Sequence, residues 1–114
     1  MLKPALAALS LLLAAGPAFA DEPILGRWLS PGGRVVEVTD CGGQFCATVK
    51  TGKYKGKSVG TMSGSGGDYS GTVTDPRDDR TYDGTATVDS DGSTMTLEGC
   101  ALKIICKKQH WTRA

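Results

Sequence analysis

Between Thr81 and Val88 the chain alternates without a break. Tyr82, Gly84, Ala86 and Val88 fall on one set of positions, and Thr81, Asp83, Thr85 and Thr87 on the other. Successive side chains of an extended strand point to opposite faces, so this period of two specifies a half-buried β-strand. The same constraint governs everything beyond residue 20. No window there places apolar residues at i, i+3, i+4 and i+7, and all but one of the 16 glycines fall in it, which disfavours any helix. Short runs rich in Val, Thr and Tyr alternate instead with Gly, Asp and Ser clusters, the pattern of an all-β domain.

Eight strands follow from that pattern, at 26–30, 34–39, 44–50, 57–63, 68–74, 81–88, 94–98 and 104–113. The turns between them are Pro31-Gly32-Gly33, residues 40–43, residues 64–67, Asp75-Pro76 with Asp78-Asp79, and Asp89-Ser90-Asp91-Gly92. Short connections between sequential strands predict an antiparallel up-and-down meander. Closing it into a small barrel removes edges that would otherwise template aggregation. Gly71 and Gly84 fall on inward positions, where they relieve crowding or allow a sharp bend.

The first 20 residues set the expected compartment. Lys3 is a positive start, residues 5–15 are almost unbroken apolar chain, and Ala18-Phe19-Ala20 is a small-residue cleavage site. That order is a secretory signal peptide, removed after Ala20. The apolar run is too short for a bilayer span of about 20 residues. No cysteine follows it to carry a lipid, so neither lipid attachment nor stable membrane insertion is expected. Residues 21–114 then form one exported, periplasmic domain, expected to be a monomer.

Removing Lys3 leaves 12 basic and 12 acidic residues. A neutral domain has no overall field for nucleic acid, so a nucleic-acid partner is not expected. A domain this small has a thin core and gains from cross-links. Cys41, Cys46, Cys100 and Cys106 make an even set for an oxidising compartment, which reads as two disulfides. Three pairings are open to them; the local ones, Cys41–Cys46 and Cys100–Cys106, are favoured because each cross-links a hairpin or strand end. Their spacings are looser than zinc knuckles, so no metal is expected.

Several pieces of the sequence occur together in a recognisable order: Gly26-Arg27-Trp28, Asp75-Pro76, Thr81-Tyr82, and the closing Gln109-His110-Trp111-Thr112-Arg113. This arrangement resembles the uncharacterised bacterial family called domain of unknown function 2147, whose members read G-x-W, C-G-x-x-x-C, D-P-x-x-G-K-T-Y and Q-T-W-T-R. The family is similar in fold to lipocalins, eight-stranded barrels with a G-x-W near the first strand. The resemblance implies that Trp28 closes one end of the barrel and that Arg113 packs across it, both as structural residues. Departures from the family pattern are clear. Its longer segment after the third strand, with N-x-x-x-x-R and R-P-L-x-G, shrinks here to residues 51–57. Asp79 stands where the family has Gly, and Arg80 replaces its Lys.

Catalytic machinery is hard to assemble from these residues. His110 is the one histidine, on a lysine-rich strand, and no activated serine motif such as G-x-S-x-G accompanies it. Asp75, Asp78, Asp79 and Asp83 lie among Arg77 and Arg80 and read as turn chemistry. The sequence from Asp89 starts like a calcium loop, but Cys100 stands where its twelfth-position Glu belongs. An enzyme is therefore not expected, and no cofactor is implied. Two functions remain. The first is binding of a small apolar ligand inside a lipocalin-like barrel, with Tyr69, Tyr82, Gln109, Phe45 and Met95 facing it. The second is a protein-interaction or inhibitor module acting through a rim such as Lys50, Lys53, Lys55 and Lys57 around Tyr54.

Overall fold

The computed structural model describes residues 22–114 with the exception of Lys103; the expected leader and its cleavage site lie outside the described residues. Eight strands run in chain order: β1 (Gly26–Leu29), β2 (Val35–Asp40), β3 (Phe45–Val49), β4 (Ser58–Ser65), β5 (Asp68–Asp75), β6 (Arg80–Val88), β7 (Thr94–Ala101) and β8 (Ile105–Arg113). Each pairs antiparallel with the next, and β8 returns to β1, so the sheet is a closed up-and-down barrel.

Two expected boundaries move by more than one residue. β4 runs on to Ser65, because Gly66 and Gly67 make the whole turn at φ 68° and 103° and Ser65 already pairs with Asp68. β7 passes its expected end at Glu98 and reaches Ala101, because Gly99, Cys100 and Ala101 pair with Lys107, Cys106 and Ile105.

Register puts the apolar parity of every strand inside. Trp28 faces Val36, which faces Val49; Phe45 faces Met62; Tyr69 faces Ala86; Val88 faces Met95, which faces Trp111. All of these side chains are buried. At roughly 1.5–3 kcal/mol for each large side chain removed from water, this cluster is the main stabilising element of the domain.

A row of glycines crosses the wall. Gly71 pairs with Gly84, and Gly84 with Gly99. A β-carbon at Gly71 would collide with the Thr61 carbonyl oxygen, and one at Gly84 would meet a Val73 methyl at 2.8 Å. Val73 therefore lies across the row, and the strands coil tightly enough to close a narrow barrel.

Both disulfides form with the expected local pairing, Cys41–Cys46 and Cys100–Cys106. The seam is short. Only Trp28↔Arg113 and Leu29↔Thr112 join β1 to β8. Because β1 has four residues and β8 nine, most of β8 has a strand on its β7 side alone.

Candidate functional site

Up-and-down topology sorts the connections onto two ends. One end carries the N-terminal segment, residues 41–44, 66–67 and 89–93, and the C-terminus. The other carries residues 30–34, 50–57, 76–79 and 102–104.

The first end is sealed. Residues 22–25 fold over it as a strap. Trp28, wholly buried, donates from Nε1 to the Ile24 carbonyl at 2.9 Å. Arg113 stacks over the indole at 3.8 Å and donates to the Leu25 and Pro23 carbonyls at 2.7 Å each. Its Nε donates to the Gly92 carbonyl at 3.1 Å. Partial burial under the strap pulls the guanidinium below its ordinary value. The Tyr69 hydroxyl donates to Glu22 at 2.7 Å, and the Gly66 amide donates to the same carboxylate at 3.0 Å. Burial, followed by the hydrogen bond to Glu22, pushes Tyr69 up to about 12. The strap was not anticipated from the sequence; Glu22 and Ile24 give no local periodicity there.

The residues nominated for an internal ligand are used otherwise. Phe45 and Tyr69 are buried and meet edge to face, with ring centroids 5.4 Å apart. Met95 is buried beside Trp111. Tyr82 is half-buried at the far end of β6, opposite Val73. Gln109 has the inward parity but is exposed, because β1 is too short to cover that part of β8; its Oε1 accepts from Trp111 Nε1 at 2.9 Å. The cavity inside the barrel lined by apolar groups such as Val38, Ala47, Val59 and Leu97 holds about 30 Å³. That is room for a water or two, whereas ligand cavities run to about 300–1,000 Å³. The larger concavity is a trough of about 430 Å³ on the outer wall, floored by Gly71 and Gly84 and flanked by Asp83 and Glu98.

The other titratable groups fall into turns and strand faces. Arg77 fixes Asp75 through its side chain at 2.7 Å and through its amide, which holds that carboxyl down at about 2. Asp79 sits at φ 59°, a left-handed conformation that glycine adopts without strain. His110 Nδ1 lies 3.2 Å from the Thr96 hydroxyl on the exposed outer face. Glu98, Cys100 and Cys106 cluster closely. The two sulfurs are bonded to each other, so the cluster offers a metal one carboxylate and no thiolate.

What the fold assembles is the second end. Tyr54 is half-buried there, with Arg34, Lys53 and Lys57 at 4.9, 5.6 and 5.9 Å from its ring centre. The Lys57 ammonium spans Asp79 at 3.1 Å and the Pro76 carbonyl at 3.2 Å, tying two loops together. Among the described residues this end carries Arg34, Lys50, Lys53, Lys55, Lys57, Arg77 and Arg80 against Asp75, Asp78 and Asp79, and Lys50 also reaches Glu37 of β2 at 3.6 Å. Each of those three carboxylates already pairs with a cation of the same end. The sealed end is the reverse: Glu22, Asp40, Asp68, Asp89 and Asp91 against Arg113 and Arg27, whose carbonyl accepts from the Ala114 amide at 3.0 Å. Charge is thus separated along the barrel axis.

Comparison with known proteins places the chain. No curated protein and no solved structure matches it. The matched segment of the one family found holds β4 to β8, with Asp75-Pro76, Thr81-Tyr82 and Trp111-Thr112-Arg113, while Trp28 lies outside it. That family is described as "Uncharacterized protein conserved in bacteria" (DUF2147), its model matches residues 56–113, and the chain belongs to it.

Proposed function

We propose that this chain is a non-catalytic interaction module of the bacterial periplasm that engages an anionic partner through the basic end of its barrel. The observation that carries this reading is the segregation of charge: cations outnumber carboxylates seven to four at one end, with Glu37 counted, and carboxylates outnumber cations five to two at the other. Such a separation orients approach to a negative surface without requiring net charge. Lys53 and Lys55 are exposed on the rim, and Tyr54 anchors their loop to the barrel. The rigid wall beneath presents the loops in one arrangement. An apolar ligand inside the barrel is the weaker reading, because the cavity there holds about 30 Å³.

The test is retention of the purified protein on an immobilised anionic polymer as salt is raised. Retention should fall with salt and drop sharply in Lys53→Glu/Lys55→Glu. It should survive in Asp89→Asn/Asp91→Asn, which alters the opposite end. Equal retention of all three proteins would end the proposal. A native mass spectrum of the protein from its own cells, carrying a stoichiometric small molecule, would return the argument to the interior.

A further inference from the structure

The β7–β8 hairpin ends in an apolar tip. Leu102 is 83 % exposed, Ile104 79 % and Ile105 59 %. Apart from Leu29, these are the exposed large hydrophobic side chains among the described residues. Three neighbouring aliphatic groups in water call for something that covers them. The hairpin parts from β6 after the Asp83↔Cys100 pair, and β8 has no strand on its other side at this height. The tip is therefore a two-stranded finger, stapled at its base by Cys100–Cys106. It stands on the basic end, with the loops that carry Arg34 and Arg77 as its neighbours in the ring and the loop of Lys53 and Lys55 across the mouth.

We propose that this finger inserts into an anionic bilayer, seating the barrel end-on with its basic loops against the headgroups. The inference rests on the reading of the basic end given above and names its partner. Charge complementarity is the first argument. Cations on the same end of the barrel as the tip match a surface of negative phosphates, and juxtamembrane Lys and Arg favour such surfaces. Composition is the second. Protein interfaces are enriched in Trp, Tyr and Arg and depleted in Lys, whereas an aliphatic tip on a lysine-bearing end is the pattern of a reversible interfacial anchor. The third is preorganisation: the disulfide fixes the two strands at the foot of the tip, which lowers the ordering that insertion requires.

Co-sedimentation of the purified, disulfide-bonded protein with vesicles tests this. Equimolar phosphatidylglycerol and phosphatidylcholine should bind at least tenfold more protein than pure phosphatidylcholine. Leu102→Ser/Ile104→Ser should lose at least tenfold of that binding while keeping its thermal midpoint, since both side chains are in water in the free protein. Emission of Ile104→Trp should shift to the blue only with the anionic vesicles. Unchanged sedimentation of the Ser variant would overturn the finger's role and leave the basic-end reading intact. Retention on the anionic polymer without any vesicle binding would overturn the bilayer and point to an acidic protein. Loss of both would sink both proposals.

Discussion

Replacing Arg113 by alanine removes four contacts at once: the stack on Trp28 at 3.8 Å and the bonds to Leu25, Pro23 and Gly92 carbonyls at 2.7, 2.7 and 3.1 Å. The guanidinium is solvated on its outer side, so each bond contributes at the lower, neutral-type value of about 0.5–1.5 kcal/mol. The stack adds about 0.5–1 kcal/mol. Because the strap and indole relax together when the fork is lost, these terms overlap, and the expected cost is about 2–4 kcal/mol. A domain of this length has about 5–14 kcal/mol in total. The variant should therefore melt roughly 8–30 °C lower, at about 4–8 °C per kcal/mol for a small domain. Urea titration followed by tryptophan emission measures the loss directly. Arg113→Lys separates charge from geometry: one ammonium cannot serve three carbonyls in a fork, so it should recover less than half. A loss under about 1 kcal/mol for alanine, or full recovery by lysine, would refute the clamp.

Three further outcomes follow from other parts of the barrel. Gly71→Ala should destabilise by about 1–3 kcal/mol or more, because its β-carbon meets backbone at Thr61 and Met62 that cannot move aside; an unchanged urea midpoint would mean the wall is looser than described. Removing either disulfide by paired Cys→Ser substitution should cost about 2 kcal/mol in the chain-entropy model for so short a loop, and Cys100→Ser/Cys106→Ser should leave the core spectrum untouched. Thermal midpoint against pH should show two slopes. Asp75, lowered from 3.8 to about 2, contributes above pH 4 and loses its contribution as pH falls towards 2; Tyr69, raised from 10.0 to about 12, contributes below pH 10 and loses it as pH rises towards 12. Asp75→Asn should flatten the acid slope and Tyr69→Phe the alkaline one, and persistence of either slope would assign it to another group.

Strand number, order and most turns were legible because period-two alternation and turn residues act locally: Tyr82 to Val88 and Asp89 to Gly92 need no tertiary information. The local pairing of the cysteines was legible for the same reason. What depended on the third dimension was not. Gln109 has inward parity, yet it lies in water because a strand four residues long sits beside one of nine. β7 was read three residues too short, since Gly99, Cys100 and Ala101 carry weak strand preference and are held by their partners. The basic end was half visible. Lys50 to Lys57 stood out as a run, but Arg34, Arg77 and Arg80 join it only through topology. The strap has no periodic signal; it is held by side chains as distant in sequence as Arg113 and Tyr69.

The short β1–β8 junction has a consequence for how the molecule breathes. Seven of the eight strand-to-strand margins carry at least four residue pairs, and this one carries two. Fluctuations of lowest free energy will part the ring at that margin and swing residues 22–29 outward as a hinged flap, while the β5–β6–β7 wall stays shut. Amide protons of Leu29 and Ala114, the latter donated to the Arg27 carbonyl, should then exchange with solvent well before those of Thr85 or Tyr69, and Arg113, bonded to the flap at Pro23 and Leu25, acts as its latch.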